Sequence, residues 1–226
     1  MKKRECIAAI VVGMFLFGSC ETFSPYEVAE TAVPASFMES PQYPLSISPA
    51  QTRLLAGAKS LLGAKKIVVN GRSFGMDCTG VVLGIYWSAD IDLQRDFNKN
   101  SGNGVTRIYK DLEDRKLLYS TKFPSPGDII FWDDTYDKNG DGKWNDPFTH
   151  MGMVVDVNAN GQIDYIHLNY RKGIVIERMN LEKRDIYQEA GMIVNSPMRM
   201  KGQVKTPLWL SSHLVRVFGM GYSTGI

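Results

Sequence analysis

The sequence predicts an α+β domain, and three observations carry that prediction. Three helical segments lie between Ser48 and Leu118. Strand-like runs follow Pro124-Ser125-Pro126-Gly127. Asn158-Ala159-Asn160-Gly161 is a hairpin signal that makes two of those runs antiparallel neighbours. The expected arrangement is N-terminal helices packed on an antiparallel β-sheet, in one domain over residues 48–226 with no internal repeat.

The first element starts at Ser48-Pro49-Ala50-Gln51. Ser48 can cap, Pro49 suits the first helical position, and Gln51 completes a capping box. Leu54, Leu55, Ala58, Leu61 and Leu62 then share one helical face, and Gly63 stops the helix. Ile67-Val68-Val69 is a short apolar run bounded by Asn70-Gly71. A second helix should begin near Asp77 and reach about Ala89. A third, amphipathic, covers about Val105 to Leu118. Asp128 to Trp132, Met151 to Val157, Gln162 to Asn169 and Gly173 to Met179 read as strands, and Met192 to Asn195 is a further candidate. The tail around Leu208 to Phe218 is ambiguous.

The chain has 226 residues, 44% hydrophobic and 22% charged, which excludes wholesale disorder, a collagen-like repeat and a multi-span membrane protein. It carries 26 Lys and Arg against 24 Asp and Glu. Lys2, Lys3 and Arg4 hold the excess. Without residues 1–19, 23 basic and 23 acidic residues remain, so nucleic acid is not an expected partner.

Lys2-Lys3-Arg4 precedes an apolar run from Cys6 to Phe17, too short to cross a hydrocarbon core of ~30 Å as a helix. Residues 1–19 therefore read as an export signal. Leu16-Phe17-Gly18-Ser19-Cys20 resembles the lipobox of bacterial lipoproteins, although Phe17 replaces the usual Leu. The resemblance implies a lipid on Cys20, and Glu21 fits an outer-membrane destination facing the periplasm. Residues 20–47 hold no Lys or Arg and are rich in proline, so they read as a tether. The expected membrane contact is the lipid alone.

The cysteines number three. Cys6 leaves with the signal and Cys20 takes the lipid, so Cys78 is left without a disulfide partner in an oxidising compartment. Asp77 is a natural N-cap, which makes Cys78 the first residue of a helix. The helix dipole there favours a thiolate and a lowered pKa. Gly75 and Gly80 leave room for close approach. The plain alternative is a small buried hydrophobe.

A thiol nucleophile needs a base. His150 opens one strand and His167 lies in the next. With a two-residue turn between them, paired positions sum to an odd number, which places His150, His167 and Asn169 on one sheet face. A three-residue turn would separate them. One ring can then act as the base and the other can fix its tautomer. His213 has no comparable context and reads as structural or exposed.

Ala58-Lys59-Ser60-Leu61-Leu62-Gly63, Asp77-Cys78-Thr79-Gly80-Val81-Val82, Pro126-Gly127-Asp128-Ile129-Ile130-Phe131-Trp132, His150-Met151-Gly152-Met153-Val154 and Tyr165-Ile166-His167 together resemble the NlpC-type cell-wall cysteine peptidases. The resemblance spans roughly residues 50–180. It implies a papain-like fold with Cys78 as nucleophile, His150 as general base and His167 as its orienting partner. The implied reaction is hydrolysis of an amide in peptidoglycan stem peptides through an acyl-enzyme, with no required cofactor. The Cys78 N–H would help hold the oxyanion. Thr79 stands where the family usually has Ser. Lys65 to Gly71 lacks the family's Tyr and Trp-Gly-Gly. The loop between Trp132 and His150 is longer than usual.

That loop contains Asp137-Lys138-Asn139-Gly140-Asp141-Gly142, the first half of a calcium-loop pattern with Asp137, Asn139 and Asp141 as candidate ligands. Position twelve is Phe148 instead of the closing Glu, with Asn145 or Asp146 as later oxygens. A polar loop of Asx turns is the alternative. The functional expectation is a lipid-anchored hydrolase of cell-wall peptides. An amidase or acyltransferase on the same fold, and a non-catalytic wall-binding lipoprotein, are the other readings. The oligomeric state is open, with a monomer favoured.

Overall fold

The structure is a computed structural model that describes residues 47–199 and 208–224. The signal, Cys20 and nearly all of the tether lie outside the described residues. Helix α1 (Pro49–Leu61) begins as its sequence requires. Ser48 Oγ accepts the Gln51 N–H at 3.2 Å, and Gln51 Oε1 accepts the Ser48 N–H at 2.9 Å. The helix ends where Gly63 turns to φ 73°.

A short hairpin, β1 (Ile67–Val69) and β2 (Arg72–Phe74), leads to α2 (Cys78–Ser88) and α3 (Gly104–Asp114). A strand, β3 (Leu118–Tyr119), occupies the end of the stretch expected to be helical. Lys116 at φ 58° breaks the helix before it. Then come β4 (Ile129–Trp132), β5 (His150–Val157), β6 (Gln162–Asn169) and β7 (Gly173–Asn180). A small hairpin of β8 (Gln188–Glu189) and β9 (Met192–Ile193), one helical turn α4 (Ser211–Leu214) and β10 (Val215–Gly219) complete the chain.

The main sheet has six antiparallel strands in the order β3-β10-β4-β5-β6-β7. The tail that looked ambiguous supplies an interior strand. The helices cover one face, where Leu54, Val81, Ile85, Ile108 and Leu112 pack with Phe131, Met151, Met153 and Ile166. Alternate residues of the same strands, Ile130, Trp132, Val154 and Tyr165, form a second buried cluster with Tyr119, Met179 and Phe218. This is the expected α+β architecture.

The turn between β5 and β6 corrects the two-residue expectation. Val157 faces Ile163, and Asn158 N–H donates to the Gln162 carbonyl at 3.0 Å, leaving residues 159–161 as a three-residue loop with Gly161 at φ 77°. Carried down the hairpin, that register would put His150 and His167 on opposite faces. It is not carried down. A bulge between Val154 and Asp156 shifts the pairing, and below it Val154 faces Tyr165 and Met153 faces Ile166. One extra residue reverses the parity, so His150 and His167 share a face after all.

Candidate active site

Cys78 is the first residue of α2, and Asp77 caps it by accepting the Gly80 N–H at 2.7 Å. The glycines expected to leave open space are used by the chain itself. A Cβ on Gly80 would lie 1.8 Å from the Gly75 carbonyl oxygen, so the Gly75 backbone packs directly on the first turn. The thiol is partly buried, and the Met151 backbone hydrogen-bonds to it. Met151 follows His150, so the thiol meets the β5 backbone one residue after the histidine.

The expected thiolate is not favoured. Burial pushes the Cys78 thiol above its ordinary pKa, and the Asp77 carboxylate adds to that, against hydrogen bonds from Met151 and Thr79 that lower it. The cap that starts the helix also places a negative charge beside the sulfur.

His150 sits opposite Trp132 in the β4–β5 register, with their rings 5.7 Å apart. Its Nε2 lies 2.9 Å from Nδ1 of His167. Burial, and then the neighbouring His167, hold the His150 pKa well below the usual histidine range, so the ring is neutral at pH 7. His167 is 2% exposed, and its Nε2 lies 3.1 Å from Oε2 of Glu177. Gly152 makes the arrangement fit. A Cβ there would come within 2.8 Å of the Ile166 carbonyl oxygen and 3.2 Å of the His167 Cβ. The structure thus brings His150 and His167 into one hydrogen-bonded line and sets Cys78 against the same strand.

Residues 68–169 match the family model of the CHAP domain. This segment is similar to the CHAP domain. Such domains occur in cell-wall hydrolases of the papain-like cysteine peptidase type. The match agrees with the resemblance drawn from the five sequence blocks and with a papain-like α+β fold. It implies a hydrolase of peptidoglycan, peptidase or amidase. The matched segment contains Cys78, His150 and His167. Comparison with the curated proteins finds no match to the chain.

Outside that line the other candidates separate. Asn169, expected on the histidine face, donates from Nδ2 to Glu177 at 3.0 Å. His213 is structural. Its Nδ1 accepts the N–H groups of Trp209 and Leu210, and its Nε2 lies 3.0 Å from Asp185. In the long loop, Asp137 accepts N–H bonds from Gly140 and Gly142, Asn139 accepts from Asp141, and Asp141 accepts from Lys143. These are Asx-type turns. Among the described residues, no group of three or more His, Cys, Asp or Glu side chains is placed to hold a metal ion.

Two residues of the site escaped the sequence reading. Tyr136, half-exposed in the long loop, lies near enough to the thiol that Cys78 adds to the rise in its pKa caused first by burial. Glu177 lies beyond the CHAP match. The signal for it was available, because Asn169 and Gly173 pair across the β6–β7 turn and residues of like parity then share a face. His167 and Glu177 are both odd.

Proposed function

We propose that the chain is a lipid-anchored cysteine hydrolase that cleaves amide bonds in peptidoglycan stem peptides through Cys78, His150 and His167. The observation that carries this reading is the His150–His167 hydrogen bond between β5 and β6, with the Met151 backbone of β5 hydrogen-bonded to the thiol. His150 Nε2 is engaged by His167, so Nδ1 is the nitrogen left to serve Cys78. In the substrate complex the Sγ–H proton passes to His150 Nδ1 as sulfur attacks the amide carbon. The carbonyl π pair moves to oxygen, held by the Cys78 N–H at the first turn of α2. The tetrahedral adduct collapses, the C–N bond breaks, and His150 returns the proton to the departing amine. Water, deprotonated by His150, then hydrolyses the thioester. In this reading a thiol and an imidazole that are both neutral at rest react by general-base catalysis, in place of attack by a resting thiolate.

In this reading residues 1–19 are removed on export, Cys20 carries the lipid, and residues 20–47 hold a monomeric hydrolase domain (48–226) off the periplasmic face of the outer membrane. A calcium ion on Asp137, Asn139 and Asp141 would stiffen the loop that leads into His150. The test is digestion of defined muropeptides by wild type and Cys78→Ala, with and without calcium, read by mass spectrometry. Wild type should release stem-peptide fragments and Cys78→Ala none. Equal release by both sinks the reading. The fragment masses distinguish an endopeptidase from an amidase, and an unchanged rate and melting temperature with calcium removes the ion.

A further inference from the structure

We propose that Glu177 is a positioning residue that sets the proton order of the two histidines and leaves His150 Nδ1 free to accept the thiol proton. The inference rests on the reading of Cys78, His150 and His167 as the reacting array. It starts from a burial problem. Glu177 is 6% exposed on β7, where a carboxylate is costly unless its oxygens are matched. They are matched. Oε2 faces His167 Nε2 at 3.1 Å, and Oε1 accepts from Lys172 at 2.8 Å and Asn169 at 3.0 Å. Tyr165, across the register from Glu177, is the remaining titratable neighbour. Burial alone raises the Glu177 pKa, but His167 and Lys172 bring it below its ordinary value, so it is ionised at neutral pH.

An ionised carboxylate only accepts hydrogen bonds. His167 must therefore carry its proton on Nε2. With that proton on Nε2, Nδ1 is the accepting nitrogen, and the 2.9 Å contact is made by His150 donating from Nε2. A neutral His150 protonated on Nε2 has its lone pair on Nδ1. The carboxylate thus determines, two rings away, which nitrogen is basic. When His150 takes the thiol proton, the positive charge is shared along a line that ends on a negative group. A base in the wrong tautomer cannot take a proton however well it is placed.

The test uses the full chain, with Glu177→Gln and Glu177→Leu. Ring-nitrogen NMR of the histidines should show both rings protonated on Nε2 in wild type. Glu177→Gln should lower kcat by about 10-fold or more with KM within about twofold, and move the acid limb of the kcat profile to lower pH. Glu177→Leu should lose the wild-type ring signals and more of kcat. Wild-type ring signals together with an unchanged pH profile in a folded Glu177→Gln overturn the proposal, as does an Nδ1-protonated His167 in wild type. If the hydrolase reading is wrong, Cys78→Ala will match wild type in turnover, while the ring signals still report on Glu177 separately.

Discussion

Two of the carboxylates buried among the described residues, Glu177 and Asp128, have opposite surroundings. Glu177 is matched at both oxygens by His167, Lys172 and Asn169, and its pKa ends below the ordinary value. Asp128 is fully buried in the Pro126-Gly127-Asp128 turn. Its Oδ2 accepts from the Tyr119 hydroxyl and from the Ser125 N–H, while Oδ1 makes no hydrogen bond of its own. Burial pushes its pKa up to about 7, against hydrogen bonds from Tyr119, Ser125 and Tyr222. An imidazole and an ammonium distinguish the two sites. A carboxylate facing an imidazole and an ammonium keeps its charge and can steady charge that appears on the ring. One facing only hydroxyls and a backbone amide is driven toward neutrality and serves the fold.

The turn around Asp128 shows what that structural service is. Gly127, at φ 94°, donates to the Val154 carbonyl at 2.8 Å, its own carbonyl accepts from Tyr86 at 2.6 Å, and Gln51 reaches the Pro126 carbonyl at 2.7 Å. Both helices α1 and α2 and strand β5 are tied there. The pH dependences follow with opposite signs. Glu177, with a lowered folded pKa, contributes stability that is present above its unfolded pKa and lost as pH falls through the folded one. Asp128, raised from 3.8 to about 7, favours the folded state most below about pH 4 and loses that contribution as pH rises toward 7.

The sharpest way to break the comparison is to displace one line without touching either carboxylate. Gly152→Ala inserts a methyl where the Ile166 carbonyl oxygen lies at 2.8 Å and Trp132 at 3.2 Å, so His167 must move. Turnover should fall by about 10- to 100-fold, because a displacement of ~1 Å carries that cost. Stability should fall by about 1–3 kcal/mol, as for an overpacked core site. Wild-type kinetics in this variant would show that the line needs no such register. Asp128→Asn tests the other side. The amide keeps an acceptor for Tyr119 and Ser125 and removes the charge. Its stability relative to wild type should climb between about pH 4 and 7, by on the order of 1 kcal/mol for each unit of pKa displaced, with kcat unchanged within about twofold. Urea unfolding across that range measures it, and parallel curves contradict it.

Much of this was legible in the sequence, for local reasons. Ser48, Pro49 and Gln51 mark the start of α1, and Asp77 marks the start of α2, because capping is decided within four residues. What was lost is non-local. Nothing in Val215-Arg216-Val217-Phe218-Gly219 reveals that it inserts between β3 and β4, since that depends on which sheet edge is open. The bulge at Val155 has no marker such as glycine, yet it decides whether His150 and His167 meet. The thiol was misread because a helix dipole is visible in sequence and burial is not. Glu177 was missed because a charged residue in an alternating strand looks like a solvent-facing one until the neighbouring strand is in place.

The smallest expected effect concerns Lys172, the exposed end of the line. Its side chain is 64% exposed while Glu177 is 6% exposed, so the ion pair is buried at one end only. Water and salt screen such a pair, and its worth is about 1 kcal/mol or less. In Lys172→Ala the carboxylate keeps His167 and Asn169, and water reaches the vacated side of Oε1. The proton order should stand, and kcat should stay within about twofold of wild type. The Glu177 pKa should rise, because one of the groups that lowers it is gone. The acid limb of the kcat profile should then steepen or move to higher pH as Glu177 itself begins to protonate within the measured range. A 10-fold loss of kcat at neutral pH would mean that the ammonium, rather than the imidazole, keeps Glu177 charged, and the contrast with Asp128 would then turn on a surface lysine.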